Sequence, residues 1–368
     1  MRVALLANLK QNAPPADGSD SWDDLDGQAT IDGIVEALSK GGHEAEFFEA
    51  RIDPPFSLLD RLERFAPDLC FNIAEGHFGE SRESEVPALL DMLRIPYTGS
   101  SVLTLALALD KPMTKRVLHY HELPSPEFQV FGSKDEEIND DLLSGDELRF
   151  PLFLKPSREG TGMGISGDNI VESVSDLREL LSMLFDRYHQ PILCERFVQG
   201  REITIGLIGN LGPTAARRLN DRTAPAVLPD ELRFFPPLEV NMADYDESEK
   251  GVYTNRIKVE LAHEFHWTCP ADVDAPLADE LSRYAAATFR VTGCHDVARI
   301  DFRVDEADGR PYILEINPLP GLNEEYSDLC IEARADGVSY TDLINGIVEI
   351  AAVRHGLNVS EESQGRRR

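Results

Sequence analysis

The first hundred residues change hydrophobic period in regular blocks. RVALLANL (2–9) is a nearly unbroken apolar run, the pattern of a buried strand. GQATIDGIVEALSKGG (27–42) takes the amphipathic spacing of a helix closed by Gly41, and HEAEFFEA (43–50) returns to a strand. SLLDRLERF (57–65) and PDLCFNIAEG (67–76) repeat helix and strand, and SEVPALLDMLRI (84–95) adds a helix before PYTGSS. This order predicts a parallel sheet with helices on both faces, a first domain over 1–101. Its first strand-to-helix connection, KQNAPPADGSDSWDDLDG (10–27), has no G-x-G-x-x-G and is rich in Asp. No dinucleotide site is predicted there.

Beyond residue 101 the pattern changes. One helix is predicted over VLTLALALDKPMTKRVLHYH (102–121), then strands EFQVFG and LRFPLFLKP, a glycine loop, helix DLRELLSMLFDRYH (176–189) and strand PILCERFV (191–198). This predicts an α+β unit with an antiparallel sheet over 102–198. The remainder, 199–356, holds strand EITIGLIGN, a helix at 276–291, strands VARIDFRV (297–304) and PYILEIN (311–317), and a final helix at 339–354. A polar tail, 357–368, is expected to fray.

The 368 residues exceed what one compact core organises, so two or three domains are expected. A formal charge of −30 excludes nucleic acid and anionic membranes as main partners. Five cysteines with no C-x-x-C spacing read as reduced thiols. The N-terminus lacks the apolar core of a signal peptide and no run reaches about 18 apolar residues, so a cytoplasmic protein is expected.

Candidate chemistry concentrates in the last two strands. Alternate residues of a strand share a face, so Arg299 and Asp301 point together, as do Glu315 and Asn317, while Leu314 and Ile316 point into the core. A three-residue turn, Ala307-Asp308-Gly309 with Gly309 at positive φ, would set Asp301 opposite Glu315 and Arg299 opposite Asn317. Two carboxylates and an amide oxygen on adjoining strands suit Mg²⁺. The second cluster is EGTGMGISG (159–167), whose glycines allow backbone N–H groups to converge on a phosphate. Lys155 stands at its entry, Thr161 adds a hydroxyl, and Lys111 follows a candidate N-cap, Asp110.

In combination, IPYTGSS, LALDKPMTKRVL, KPSREGTGMGI, CERFVQGREITIG, ARIDF and ILEINPLPG resemble the ATP-grasp superfamily, most closely the D-alanine–D-alanine ligase family. The resemblance runs from about residue 68 to 354. It implies an ATP-grasp fold, a parallel α/β domain followed by two α+β domains that clasp ATP. It implies that Lys111 and Lys155 contact ATP phosphates beneath the loop of Thr161 and Gly162. The 195–198 linker, with Glu195, Phe197 and Val198, would meet adenine, and Glu202 the ribose. Lys258 would join the nucleotide site. Asp301, Glu315 and Asn317 would hold two Mg²⁺ ions, with Mn²⁺ as a substitute, and Arg299 with the Gly321 N–H would stabilise an oxyanion. The implied reaction joins a small carboxylate to an amine, amino-acid or peptide-like, through an acyl phosphate in an ADP-forming ligase. A homodimer is implied by the same resemblance.

Several positions depart from the family pattern. Thr161-Gly162 stands where a Ser-Ser pair is usual, and Lys258-Val259 where Lys-Tyr is usual. The N-terminal substrate-binding glutamate has no counterpart in the acidic loop 17–26. After PGL comes NEEYSDL, in which Glu324 and Glu325 would repel a carboxylate while Ser327 remains available to bind one. A substrate other than plain D-alanine is therefore expected, and the acidic residues at 17–26 and 324–325 point to a cationic one. The rival expectations are D-alanine–D-alanine ligation, a nucleotide-binding regulator without ligation, and a kinase.

Overall fold

The computed structural model describes residues 1–15, 22–138, 143, 148–212, 231–261, 264 and 266–357. Residues 17–21 of the acidic loop and the tail from 358 lie outside them. Among the described residues no helix is long and apolar enough to cross a membrane, and all five cysteines are free.

β1 (Arg2–Ala7), β2 (Glu44–Glu49) and β3 (Leu69–Asn72) form a parallel sheet in the order β2-β1-β3, as their alternation with helices required. The side chains of β1 feed two cores. Val3 and Leu5 pack with Ile31, Ile34 and Leu38 of α1 (Gln28–Lys40), while Ala4 and Leu6 pack with Leu58 and Leu62 of α2 (Leu58–Phe65) and Leu90 of α3 (Glu85–Leu93).

The helix expected over 102–121 is two helices, α4 (Val102–Leu109) and α5 (Lys111–Tyr120). Asp110 leaves helical geometry at ψ 89° and its carboxylate caps the Met113 N–H at 3.0 Å. Pro112, which has no N–H to donate, fits only the first turn of the second helix. The kink places the start of α5, with Lys111, where β5 (Leu152–Pro156) ends; the Lys111 N–H donates to the Ser157 carbonyl at 3.0 Å.

β5 belongs to an antiparallel sheet with β4 (Phe128–Phe131), β6 (Ile170–Val171) and β7 (Ile192–Arg196), in the order β4-β7-β5-β6. Leu177, Leu181 and Leu184 of α6 (Val174–Tyr188) cover one face. The third sheet is built on β8 (Gly200–Gly209), which pairs β9 (Leu232–Phe234) and stands in the order β11-β10-β8-β12-β13. Here β10 is Leu238–Val240, β11 Trp267–Thr268, β12 Asp296–Asp305 and β13 Pro311–Asn317. A short helix, α7 (Asn255–Val259), precedes β11. Leu281 and Phe289 of α8 (Ala275–Thr292) seal the third sheet's core against Ile205, Ile300, Phe302 and Ile316. Leu329 and Cys330 of α9 (Asp328–Ala335) and Leu343 and Ile347 of α10 (Tyr340–Arg354) join the core beneath α1, so the chain's end closes on its beginning.

The β12–β13 hairpin reaches the expected site register by another route. Gly309 has φ 73°, but the turn spans four residues, with Val304 opposite Pro311 and the Asp305 N–H bonded to the Arg310 carbonyl. That parity alone would put Leu314 opposite Asp301. A β-bulge between Asp301 and Phe302 absorbs Leu314 as the extra residue and returns Glu315 to face Asp301 and Asn317 to face Arg299. Leu314 therefore does not enter the core as alternation predicted; it is half-buried and lines a cavity beside Glu315.

Candidate active site

Two neighbouring cavities share part of their lining. The larger, of about 400 Å³, is lined by all three parts of the chain, including Asp24, Glu75, Lys111, Thr161, Arg299, Glu315, Asn317 and Gly321. The smaller, of about 70 Å³, is a slot between the second and third sheets. Its wall combines apolar Phe153, Val198, Val252 and Leu314 with Lys155, Glu202 and Arg303. Tyr253, Lys258 and Glu315 line both, so the slot and the larger space adjoin at these side chains.

Charge is organised around three carboxylates. Glu195, on β7 and 3% exposed, pairs with Lys155 at 2.7 Å and with Lys115 at 2.6 Å. Burial alone would raise its pKa, but the two ammonium groups outweigh burial and hold it at about 2. Glu195 thus turns its carboxylate into a lysine clamp. Lys115 escaped the sequence reading; its signal was the i,i+4 spacing from Lys111, which puts both on one face of α5. Lys111 reaches the Glu315 carboxylate at 2.8 Å and the Glu159 carbonyl at 2.5 Å, tying α5 to the glycine loop and to β13. Against the cost of burial, Lys111, Lys155 and Lys258 keep Glu315 below its ordinary pKa.

Asp301 receives a forked pair from Arg299, Nε at 2.8 Å and Nη2 at 3.0 Å, together with the Thr204 hydroxyl at 2.8 Å and the Asn317 amide at 2.9 Å. Burial opposes its ionisation, but Arg299 wins and holds Asp301 well below the usual carboxylate range. Arg299 also reaches Asp328 at 3.3 Å, a residue the sequence reading did not single out. Two carboxylates held ionised in matched register are hard-oxygen groups of the kind Mg²⁺ takes, and the Asn317 amide here turns its nitrogen toward Asp301.

The linker residues take defined places on the slot. The Phe197 ring lies 6.1 Å from that of Phe153, with the Arg303 guanidinium 5.6 Å over its centre. Val198 is buried in the wall, and Glu202 lies 3.4 Å from Arg303. Lys258 stands 4.6 Å above the Tyr253 ring, between slot and cavity.

The glycine loop forms part of the roof. Thr161 and Gly162 have φ 48° and 69°, and a Cβ on Gly162 would sit 3.0 Å from the Asn255 nitrogen, so glycine is what permits this approach of loop to α7. The Asn255 amide donates to the Thr161 carbonyl at 3.1 Å and to Asp23 at 3.2 Å, joining the glycine loop to the acidic loop. Gly321 borders the cavity beside Ser327, whose hydroxyl accepts from the Asn323 N–H at 2.9 Å. Glu324 and Glu325 are exposed and line neither cavity, so the charge expected from them at the site is missing.

Residues 117–349 match the family model described as the D-ala D-ala ligase C-terminus. An uncharacterized protein of Sinorhizobium fredii is 34% identical over 332 residues, 88% of each chain. A D-alanine–D-alanine ligase of Pelotomaculum thermopropionicum is 31% identical over 327 residues, 88% of this chain and 92% of that one. The crystal structure of D-alanine–D-alanine ligase from Bacillus anthracis complexed with ATP superposes with a TM-score of 0.70 at 22% identity, covering 97% of this chain and 99% of the other.

Proposed function

This chain belongs to the D-alanine–D-alanine ligase family and has its ATP-grasp fold, and we propose that it is an ATP-dependent carboxylate–amine ligase acting on a substrate other than plain D-alanine. One observation carries the reading: Asp301 and Glu315 face each other at the point where a partly apolar slot meets a cavity edged by Lys111 and Lys258. The slot is assigned to adenine, with Phe153, Val198 and Leu314 against its faces and the 195–198 backbone at its edge, and at about 70 Å³ it must widen to admit the base. Glu202 takes the ribose. Lys111, Lys155, Lys258 and the Thr161-Gly162 loop meet the phosphates, and Glu195 keeps Lys155 in place.

Asp301, Glu315 and Asn317 would hold Mg²⁺, which supplies charge neutralisation on the transferring phosphoryl group. The carboxylate substrate attacks the γ-phosphorus of ATP, forming the acyl phosphate and releasing ADP. The amine then attacks the acyl carbon, loses a proton, and inorganic phosphate leaves. Arg299 and the Gly321 N–H donate to the oxygen that becomes negative in that second step. Enclosure limits loss of the acyl phosphate to water. No side-chain nucleophile is needed, because positioning does most of the work.

Thr161-Gly162 and Lys258-Val259, standing where the family pattern has Ser-Ser and Lys-Tyr, support a rewritten substrate half. ADP and phosphate release measured across both enantiomers of an amino-acid panel tests this. Release with a compound other than D-alanine is expected. Turnover strictly dependent on D-alanine returns the protein to the activity for which its Pelotomaculum relative is named. ADP release without phosphate would make it a kinase, and nucleotide binding without either would make it a regulator.

A further inference from the structure

The part of the larger cavity's wall that comes from the N-terminal residues is acidic. Asp24 and Asp26, before α1, and Glu75 and Glu83, between β3 and α3, line it. Arg82 is the guanidinium set among them. It donates to Asp24 Oδ2 at 3.0 Å, Glu159 Oε2 at 3.5 Å and the Arg158 carbonyl at 2.9 Å. Glu83 is only 9% exposed, yet no hydrogen bond or close ion pair reaches its carboxylate among the described residues. The Asp24 side chain is 4% exposed, and its Oδ1 is buried without a partner.

Burying carboxylates this way is unfavourable unless each takes up a proton or meets a cation. Burial, only partly offset by Arg82 and Lys111, pushes Glu83 up to about 7. Burial pushes Asp26 up to about 7 as well, and burial with the Glu83 charge raises Glu75 well above the usual range. Arg82 and Lys111 face four carboxyl groups, and burial holds three of them protonated to about pH 7 or beyond, so an arriving cation can be taken up in exchange for protons. Among the described residues no three His, Cys, Asp or Glu converge closely enough to hold a metal ion. An organic ammonium or guanidinium is a countercharge that the cavity of about 400 Å³ has room for.

We propose that this wall, built by Asp24, Asp26, Glu75 and Glu83, is a subsite for a cationic side chain, so that one of the two joined substrates is a basic amino acid or a peptide ending in one. The proposal rests on the ligase reading for the word substrate, but the subsite itself is a matter of binding. Glu83 and the free Oδ1 of Asp24 accept from the ammonium or guanidinium, and Arg82 holds Asp24 in place for it.

Calorimetric titration separates the two claims, because it needs no turnover. With a non-hydrolysable ATP analogue and Mg²⁺ present, lysine, ornithine and 2,4-diaminobutyrate of both hands are compared with D- and L-alanine. At least one basic probe is expected to bind tenfold or more tightly than alanine of the same hand. Glu83→Gln and Glu75→Gln should each reduce that preference about tenfold while nucleotide affinity stays unchanged. Melting curves of the two variants confirm that they fold; Asp24→Asn serves if either does not. Equal binding of basic and neutral probes, no binding of any basic probe, or a preference untouched in folded variants overturns the proposal. Tight basic-probe binding without ADP release under ATP keeps the subsite and removes the ligase reading.

Discussion

Asp301 and Glu315 stand directly opposite each other across the β12–β13 ladder although the turn joining their strands has the wrong parity to put them there. The bulge at Leu314 makes the correction, and in doing so turns a leucine out of the core into the slot. One irregularity thus aligns the acidic pair and supplies part of the apolar wall proposed for adenine.

Leu314→Ala should weaken ATP binding several-fold through loss of apolar contact, at a smaller cost in stability than a core leucine, because the side chain is only half-buried. Fluorescent-nucleotide titration and a melting curve read the two effects. Unchanged affinity would place the base elsewhere.

Glu315→Ala should reduce ADP formation about a hundredfold or more, since it removes one of the two facing carboxylates and frees Lys111 from its 2.8 Å partner. Full activity in a folded variant would remove Glu315 from the site.

Arg299→Lys should lower turnover by about 10² with nucleotide affinity largely kept. A lysine cannot reproduce the fork that grips both oxygens of Asp301 while reaching Asp328. Steady-state kinetics against both substrates, beside a binding titration, separates the outcomes.

Glu195→Gln leaves Lys115 and Lys155 buried without their shared counter-ion, and a broken buried pair costs about 3–5 kcal/mol. Because Glu195 sits at about 2 in the fold against 4.5 when unfolded, its contribution is present above pH 4.5 and disappears as pH falls toward 2. Denaturant melts at pH 7 and pH 3 should show a large gap between wild type and variant at the first and a smaller one at the second.

Glu83→Gln should have the opposite sign. Glu83 is raised to about 7 from 4.5, so the folded state binds its proton more tightly than the unfolded chain. The stability this represents is whole below pH 4.5 and is lost as pH rises through 7. Asp24, Glu75 and Glu315 oppose its charge, and Arg82 and Lys111 favour it. The variant should therefore melt higher than wild type at pH 8 and equal to it at pH 5. A constant difference across that range would show that Glu83 titrates normally.

Much of the fold could be read from local pattern. The parallel opening sheet followed from period changes between strand and helix, and the chemistry-bearing faces of β12 and β13 from simple alternation. Where reading failed, the cause lay outside the window being read. The break at Asp110 depended on a cap and a proline beating a continuous apolar helix pattern. The parity of the last hairpin depended on a bulge that no turn residue announces. Lys115 and Glu83 were not singled out, because nothing nearby in sequence shows what covers them.

The sequence by itself determined which side chains carry charge, which strands show them on one face, and which loop has the glycine needed to approach α7 closely. Those properties follow from backbone periodicity and from the side chains themselves, and need no distant neighbour. Tertiary structure alone decided that Glu195 is clamped by two lysines, that Glu324 and Glu325 stay in solvent, and that Asp24, Asp26, Glu75 and Glu83 share one buried wall. Burial and the nearest opposite charge set what an ionisable group does, and both come from segments that meet only when the chain folds.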